Sequence, residues 1–126
     1  MAGYFGPLET LTVKNRYFRR VLYTGGHSQL VLMCLRPGEE IGEEVHPTVD
    51  QFFRVEEGTA RIVFNKTEKH LIRAGGAFVV PAGTLHNVVN ASKEEALHLY
   101  TIYSPPQHPD GTIHKTKADA LASEHH

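Results

Sequence analysis

The chain has 126 residues, of which 40% are hydrophobic and 21% are charged, so we expect one folded domain with a true core. Thirteen basic and 14 acidic side chains give a net charge of −1, which argues against a nucleic-acid-binding protein. No apolar run reaches the roughly 18 residues of a membrane span. Residues 1–11 also lack the pattern of a signal peptide. The single cysteine, Cys34, excludes an internal disulfide, and we expect a cytoplasmic protein with this thiol buried.

Short runs of β-forming residues, separated by glycine and proline, follow one another along most of the chain. Residues 1–15 form an N-terminal arm, in which the alternation at residues 10–13 predicts a short edge strand. The nearly continuous apolar run at residues 28–35 predicts a strand that is covered on both faces. Further strands are predicted at residues 17–24, 44–46, 51–56, 60–65, 69–72, 77–80, 86–90 and 97–103. Good helix formers return only at residues 117–124, so the pattern predicts an all-β barrel with a short C-terminal helix.

Four polar side chains are candidate metal ligands: Glu44, His46, Gln51 and His86. Residues two apart on a strand point the same way, so Glu44 and His46 share a face. A turn after Pro47 lets the chain reverse, so that Gln51 returns on the neighbouring strand. His86 follows a tight turn at residues 81–83. If the shared face is the interior of the barrel, the four side chains converge on one divalent metal ion.

The same alternation predicts which neighbours of the ligands lie inside the barrel. Phe52 and Arg54 are predicted to face away from it. The residues that share the parity of Gln51 or His86, and are predicted to face inward, are Phe53, Val55, Val88 and Asn90. Asn90 is expected to fix a strand end rather than to contact a substrate.

Two motifs in the chain resemble those of the cupin superfamily. They are Gly38-x5-Glu44-x-His46-x4-Gln51-x6-Gly58 and Gly75-x5-Pro81-x-Gly83-x2-His86-x3-Asn90. The second motif matches the cupin pattern at every fixed position, and the resemblance covers about residues 30–103. It implies a double-stranded β-helix, a metal ion at the open end of the barrel and, as in many cupins, a homodimer.

Two ligand positions depart from the usual cupin pattern. The family motif has histidine where this chain has Glu44, and glutamate where it has Gln51. The carboxylate has therefore moved from the last ligand position of the first motif to the first, and the ligand set keeps one negative charge. Two oxygen and two nitrogen ligands favour Mn²⁺, Fe²⁺ or Zn²⁺ over copper. The ligand types also resemble those of zinc-dependent mannose-6-phosphate isomerases, in a different order along the chain.

Four protein ligands leave one or two coordination positions for water or a small-molecule substrate. Our first hypothesis is a metal-dependent enzyme that isomerises or epimerises a small hydroxy-carbonyl compound, such as a sugar or sugar phosphate. The alternatives are an Fe- or Mn-dependent dioxygenase or decarboxylase, and a non-enzymatic cupin that binds a small ligand. A barrel whose site has decayed fits the loss of a carboxylate at Gln51 but not the gain of one at Glu44.

His98 and Tyr100 are the candidate catalytic residues. They share parity on the last predicted strand and, if that face lines the barrel, supply acid–base or anion contacts. The opposite face is an equal alternative, with an inward set of Leu97, Leu99 and Tyr103. Arg20 and Arg61 are possible anion-binding groups, although we expect both of them at the surface.

The C-terminal tail, residues 104–126, contains a stretch rich in proline, aspartate and glycine. We expect this stretch to pack on the outside of the barrel. The alternative is a lid that brings His108 and His114 to the barrel mouth. Residues 125–126 are two histidines, either native or the start of a purification tag, and they carry no part of the functional hypothesis.

Overall fold

The computed structural model describes residues 3–124, which form two antiparallel sheets and two short helices. The helices are α1 (Leu8–Lys14) and α2 (Lys117–Glu124). The strands are β1 (Arg19–Thr24), β2 (Gln29–Leu35), β3 (Asp50–Glu57), β4 (Thr59–Phe64), β5 (Glu68–Arg73), β6 (Ala77–Val80), β7 (His86–Asn90), β8 (Leu97–Ser104) and β9 (Ile113–His114). The order is β6-β3-β8-β2-β1-β9 in the large sheet and β5-β4-β7 in the small one. The predicted all-β architecture with a short C-terminal helix is confirmed.

The hydrophobic core lies between the two sheets. It combines side chains of the large sheet, such as Met33 and Phe53, with side chains of the small sheet, such as Ile62 and Val88. The ring of Phe53 stacks on that of Phe78, with centroids 4.6 Å apart and planes 11° from parallel. Each large apolar side chain removed from water contributes roughly 1.5–3 kcal/mol, so this shared core holds the sheets face to face.

Strand alternation places the neighbours of the candidate ligands as the sequence predicts. On β3, Gln51 and Val55 are buried, whereas Phe52 and Arg54 are partly exposed. On β7 the buried positions are His86, Val88 and Asn90. The period of two is clear here because the outer faces of these strands remain in contact with water.

Residues 8–14 of the N-terminal arm form a helix, so the prediction of an edge strand at residues 10–13 is wrong. Thr and Val favour strands, but this stretch packs as α1 against β8 and β3 of the large sheet. Leu11 lines a cavity with Leu22 and Leu32, which lie on the sheet face away from the core. The buried Thr12 hydroxyl donates to the C=O of Leu8 at 2.7 Å, so the helix satisfies its polar group. Packing against the sheet therefore overrides a weak local preference.

Strand β2 lies inside the large sheet, and its Leu32 lines the same cavity as Leu11 of α1. All but one of the residues of β2 are buried, which confirms the prediction of a strand covered on both faces. Cys34 lies within this strand, and burial raises the pKa of its thiol, as expected for a structural cysteine. Neither helix among residues 3–124 has the length and apolarity that a bilayer crossing requires.

Candidate metal centre

A backbone pair holds two of the candidate ligands directly opposite each other. Glu44 and His86 each donate their N–H to the C=O of the other residue, at 2.9 and 3.0 Å. The N–H of Gly83 donates to the C=O of His46 at 2.9 Å, which fixes the turn before β7 to the same segment. The predicted strand at residues 44–46 is thus reduced to this single pair. Because directly opposed residues of antiparallel segments project to the same side, the side chains of Glu44 and His86 meet.

The structure brings Glu44, His46 and His86 together. One ligand atom from each of them lies within 4.8 Å of the other two. Glu44 Oε1 is 3.7 Å from His46 Nε2, and the ring centroids of His46 and His86 are 5.5 Å apart. Metal–ligand bonds of about 2.0–2.2 Å place adjacent ligand atoms about 3 Å apart and opposite ones about 4 Å apart. Small side-chain movements therefore suffice for these atoms to share one divalent ion.

The ligand nitrogens of both histidines are buried without a hydrogen-bond partner among the described residues. These atoms are His46 Nε2 and His86 Nε2. The carboxylate of Glu44, at 3.7 Å, is too far from His46 Nε2 for a hydrogen bond. His86 Nδ1 lies 2.9 Å from the C=O of Thr84, so Nδ1 carries the proton and Nε2 presents a lone pair. A carbonyl that orients a histidine in this way is a common feature of metal sites.

Gln51 offers a third buried ligand atom. Its Nε2 donates to Thr101 Oγ1 at 3.0 Å, and its Oε1 has no partner among the described residues. Gln51 lies opposite Tyr103 in the large sheet, and the Tyr103 ring meets His46 at 5.9 Å between centroids. Leaving a buried acceptor unpaired costs about 1–3 kcal/mol, so three such atoms, two of them beside the Glu44 carboxylate, suggest a cation. The donor set fits a divalent metal ion.

The charge states of the cluster also suit a metal. Burial raises the pKa of Glu44, but its neighbours His46, Arg19 and His86 more than offset this, and the net pKa is below its ordinary value. Burial lowers the pKa of His86, although its bond to Thr84 and the charge of Glu44 act in the opposite direction. At neutral pH the site therefore holds a carboxylate and a neutral imidazole, which are the forms that bind metals.

Three further side chains lie next to this cluster. Arg19 was not among the candidates from the sequence, and Tyr103 and His108 were named only in its alternatives, as an inward-facing residue and as part of a lid. Arg19 is 3% exposed, and its Nη1 lies 3.2 Å from His114 Nδ1. Tyr103 is buried, and burial raises the pKa of its phenol well above the ordinary value. His108 Nε2 lies 3.3 Å from the Tyr103 hydroxyl, and the two rings meet edge to face. Burial, followed by the charge of Arg19, lowers the pKa of His108 to about 4.

Comparison with known proteins assigns the fold. The Cupin_2 family, described as the cupin domain, matches residues 31–103, which is more than half of the chain. The chain belongs to the cupin family. Its two sheets are those of the double-stranded β-helix that the sequence motifs predict.

This cupin is also similar to individual proteins. It is 50% identical over 118 residues to the uncharacterized protein YrkC of Bacillus subtilis, covering 90% of the chain and 63% of YrkC. It is 51% identical over 104 residues to an uncharacterized protein of Acanthamoeba polyphaga mimivirus, covering 81% of the chain and 65% of that protein. The chain thus spans less than two thirds of the length of both relatives. The crystal structure of BH2720 from Bacillus halodurans superposes with a TM-score of 0.93 at 45% identity, covering 96% of this chain and 95% of that one.

The candidate catalytic residues of this cupin lie on the wrong face of the large sheet. Leu97, Leu99 and Tyr103 of β8 belong to the core, so His98 and Tyr100 point to the opposite side. There His98 Nε2 lies 3.5 Å from Glu57 Oε1, and the Tyr100 ring lies 6.3 Å from that of Phe52. Periodicity failed because β8 is a central strand, with α1 packed against it, and is buried on both faces.

The expectation that the tail packs outside the barrel is also wrong for its central part. The side-chain oxygen of Gln29 accepts the N–H groups of Gln107 and His108 at 3.1 and 2.9 Å. Gln29 Nε2 donates to the C=O of His108 at 2.7 Å. Further along, His114 lies in β9 and pairs with Arg19 of β1. Gln29 of β2 therefore holds this part of the tail, which brings His108 against Tyr103.

The remaining candidates have structural or surface roles. Asn90 Nδ2 donates to the C=O groups of Leu35, Arg36 and Glu95, at 3.2, 3.1 and 2.8 Å. This confirms that Asn90 fixes the loops at a strand end. The expected surface placement of Arg20 and Arg61 is confirmed, since both are exposed.

Proposed function

We propose that this cupin is a metal-dependent enzyme that isomerises or epimerises a small hydroxy-carbonyl compound. Its ligand cluster consists of Glu44, His46, Gln51 and His86. One observation supports the proposal above all others: three potential ligand atoms, two of them in the cluster with the Glu44 carboxylate, are buried without a partner among residues 3–124. Mn²⁺, Fe²⁺ and Zn²⁺ are the ions that this mixed oxygen and nitrogen set favours.

When bound, a divalent metal supplies a Lewis acid that polarises a carbonyl oxygen. Protein side chains must then move the proton of the adjacent carbon. The pair formed by His108 and Tyr103 replaces His98 and Tyr100 in this role. His108 is neutral at neutral pH because its pKa is about 4, so its imidazole can accept a proton. Tyr103 stays protonated because burial raises its pKa, so its hydroxyl can donate a hydrogen bond to a substrate oxygen.

The test combines metal analysis with a proton-exchange assay. Protein stripped with a chelator and reloaded with Mn²⁺, Fe²⁺ or Zn²⁺ is expected to hold one ion per chain. Glu44→Gln and His86→Ala are expected to lose it. Matched controls are Glu43→Gln, which changes an exposed neighbouring carboxylate, and His70→Ala, which removes an exposed histidine. Full metal occupancy in both ligand variants would contradict the proposal.

The assay follows solvent deuterium incorporation into hydroxy-carbonyl compounds by NMR. We expect exchange with the reloaded protein, and little with the stripped protein or with His108→Asn. Equal rates for stripped and reloaded protein would exclude the metal-dependent isomerase. A normal rate in His108→Asn would remove only the assigned role of His108.

One observation favours a second candidate. Glu44, His46 and His86 supply one carboxylate and two imidazoles, which is the ligand combination of many non-haem Fe²⁺ oxygenases. An Fe²⁺-dependent dioxygenase is therefore the alternative, and oxygen uptake by the Fe²⁺-loaded protein tests it. Uptake that requires a substrate and disappears in His86→Ala would favour the dioxygenase over the isomerase.

A further inference from the structure

Arg19 is a buried cation without a counter-charge next to it. Among residues 3–124, no ion pair within 4.0 Å includes Arg19. Its Nη1 is engaged with His114 Nδ1 at 3.2 Å, and its Nε is buried without a hydrogen-bond partner. An unpaired buried charge is costly, so proteins usually pair such a group with an anion.

The strand register places Arg19 on the side of the sheet that carries the ligand cluster. Arg19 lies opposite Met33 of β2, which is part of the core between the sheets, and shares its parity with the core residue Val21. Opposed residues in an antiparallel pair project to the same face. In agreement with this placement, the charge of Arg19 acts on the pKa values of Glu44 and Tyr103.

A formal charge count shows what such a site lacks. In a metal site the carboxylate of Glu44 contributes one negative charge and Arg19 one positive charge, while metal-bound imidazoles and the amide of Gln51 contribute none. These charges cancel, so a bound divalent ion leaves the site with two net positive charges. A bound carboxylate reduces this excess to one positive charge, whereas a neutral sugar leaves it unchanged.

The number of available donors indicates the class of anion. The guanidinium engages His114 through Nη1 and lies beside the Tyr103 hydroxyl, while its Nε has no partner among residues 3–124. A planar carboxylate is the anion that pairs best with a guanidinium, because it accepts two parallel hydrogen bonds. The Tyr103 hydroxyl adds a donor when His108 donates its Nε2 proton to the phenol oxygen. This small set suits the two oxygens of a carboxylate better than the three oxygens of a phosphate group.

We infer that the substrate of the proposed metal site is a small carboxylate with an adjacent hydroxyl or carbonyl group, and that Arg19 binds its carboxylate. The inference rests on the proposed metal-dependent function. The hydroxyl or carbonyl oxygen faces the ligand cluster, and the carboxylate accepts hydrogen bonds from Arg19, whose side chain lies beside the Tyr103 hydroxyl. Arg19 is then a specificity-determining residue that distinguishes acids from neutral sugars.

The test measures binding to the Zn²⁺-loaded protein by isothermal titration calorimetry. The probes are lactate, its neutral analogue lactamide, and inorganic phosphate. We expect lactate to bind more tightly than lactamide, and Arg19→Gln to weaken lactate binding about 30-fold or more. Arg19→Lys keeps the positive charge but lacks the planar guanidinium, so its affinity for lactate is expected to lie between those of the unmodified protein and Arg19→Gln. Arg20→Gln, an exposed neighbour, is the matched control and should bind lactate as the unmodified protein does.

The metal content of each sample is measured before the titration. Normal zinc together with equal lactate binding in the unmodified protein and Arg19→Gln would overturn this inference alone. Phosphate binding that depends on Arg19, without lactate binding, would also overturn it. An unmodified protein that holds no metal would overturn both this inference and the proposed function. If Arg19→Gln does not fold, Arg19→Lys decides, and undiminished lactate binding in it would count against the guanidinium contact.

Discussion

His86 and His98 are equally buried, at 2% exposure each, yet they occupy opposite surroundings. His86 lies inside the barrel, with Nδ1 near a backbone carbonyl and Nε2 beside Glu44 and His46. His98 lies on the outer face of the large sheet, where its Nε2 approaches a single half-exposed carboxylate, Glu57. Burial alone therefore does not identify a functional histidine. The groups that surround the ring nitrogens of a buried histidine distinguish the two cases.

The largest expected difference between the two histidines is in metal binding. His86→Ala removes a ligand and should weaken the binding of Zn²⁺ by more than about 100-fold, a larger loss than substitutions around a ligand usually cause. His98→Ala should leave metal binding within about threefold, because the large sheet separates it from the cluster. Metal competition with a fluorescent chelator measures both constants. Equal losses in the two variants would end the distinction between the inner and outer histidines.

Thermal unfolding sharpens the same comparison. A ligand present at 1,000 times its dissociation constant adds about 4 kcal/mol to stability, which is about 15 °C in Tm for a chain of this size. A chelator should therefore lower the Tm of the unmodified protein and of His98→Ala by this amount. It should leave the Tm of His86→Ala unchanged, because that variant binds no metal. Differential scanning calorimetry with and without chelator provides the measurement. A chelator effect of unchanged size in His86→Ala would contradict it.

The tail histidine predicts a pH dependence. Burial lowers the pKa of His108 from 6.5 to about 4, so the unfolded chain binds this proton more readily than the folded protein. Stability is therefore complete above pH 6.5 and falls as the pH drops toward 4, by up to roughly 3 kcal/mol from this group. Urea unfolding of metal-free protein at pH 7 and pH 4 measures the loss. His108→Asn should lose less than the unmodified protein, and an identical loss would show that His108 does not titrate as proposed.

The smallest effect is expected on the outer face. Tyr100 packs against Phe52, and its ring is only partly buried. Tyr100→Phe should keep this ring contact, change stability by less than about 0.5 kcal/mol and leave the enzyme assay unaffected. A large loss of activity would return Tyr100 to the list of catalytic residues.

The sequence predicts the inner wall of the barrel better than its mouth. Gln51 and Val55 were placed correctly because one face of β3 contacts water, so that the alternation of side chains along the strand identifies the buried face. The sequence left the two faces of β8 as equal alternatives for His98, because this strand is largely buried on both sides. The β-branched residues around Thr12 favoured a strand, whereas contacts with the sheet produce α1.

The mouth depends on long-range pairing that local patterns do not contain. Arg19 and Arg20 are adjacent, and only the register of β1 against β2 decides which of them turns inward. The two-residue strand β9 exists because Ile113 and His114 reach β1 from the far end of the chain. His108 likewise reaches Tyr103 only because a distant side chain, Gln29, fixes its backbone.

The side-chain amide of Gln29 has a consequence for exchange between the site and solvent. Its oxygen accepts two backbone N–H groups of the tail and its nitrogen donates to one C=O, as a backbone peptide group does in a sheet. These bonds hold the segment at residues 107–108 in place. A molecule that reaches the cluster past this segment must wait until these bonds open. The deuterium exchange rate of the backbone amides of Gln107 and His108 therefore reports how often the segment opens, because exchange requires the same bonds to break.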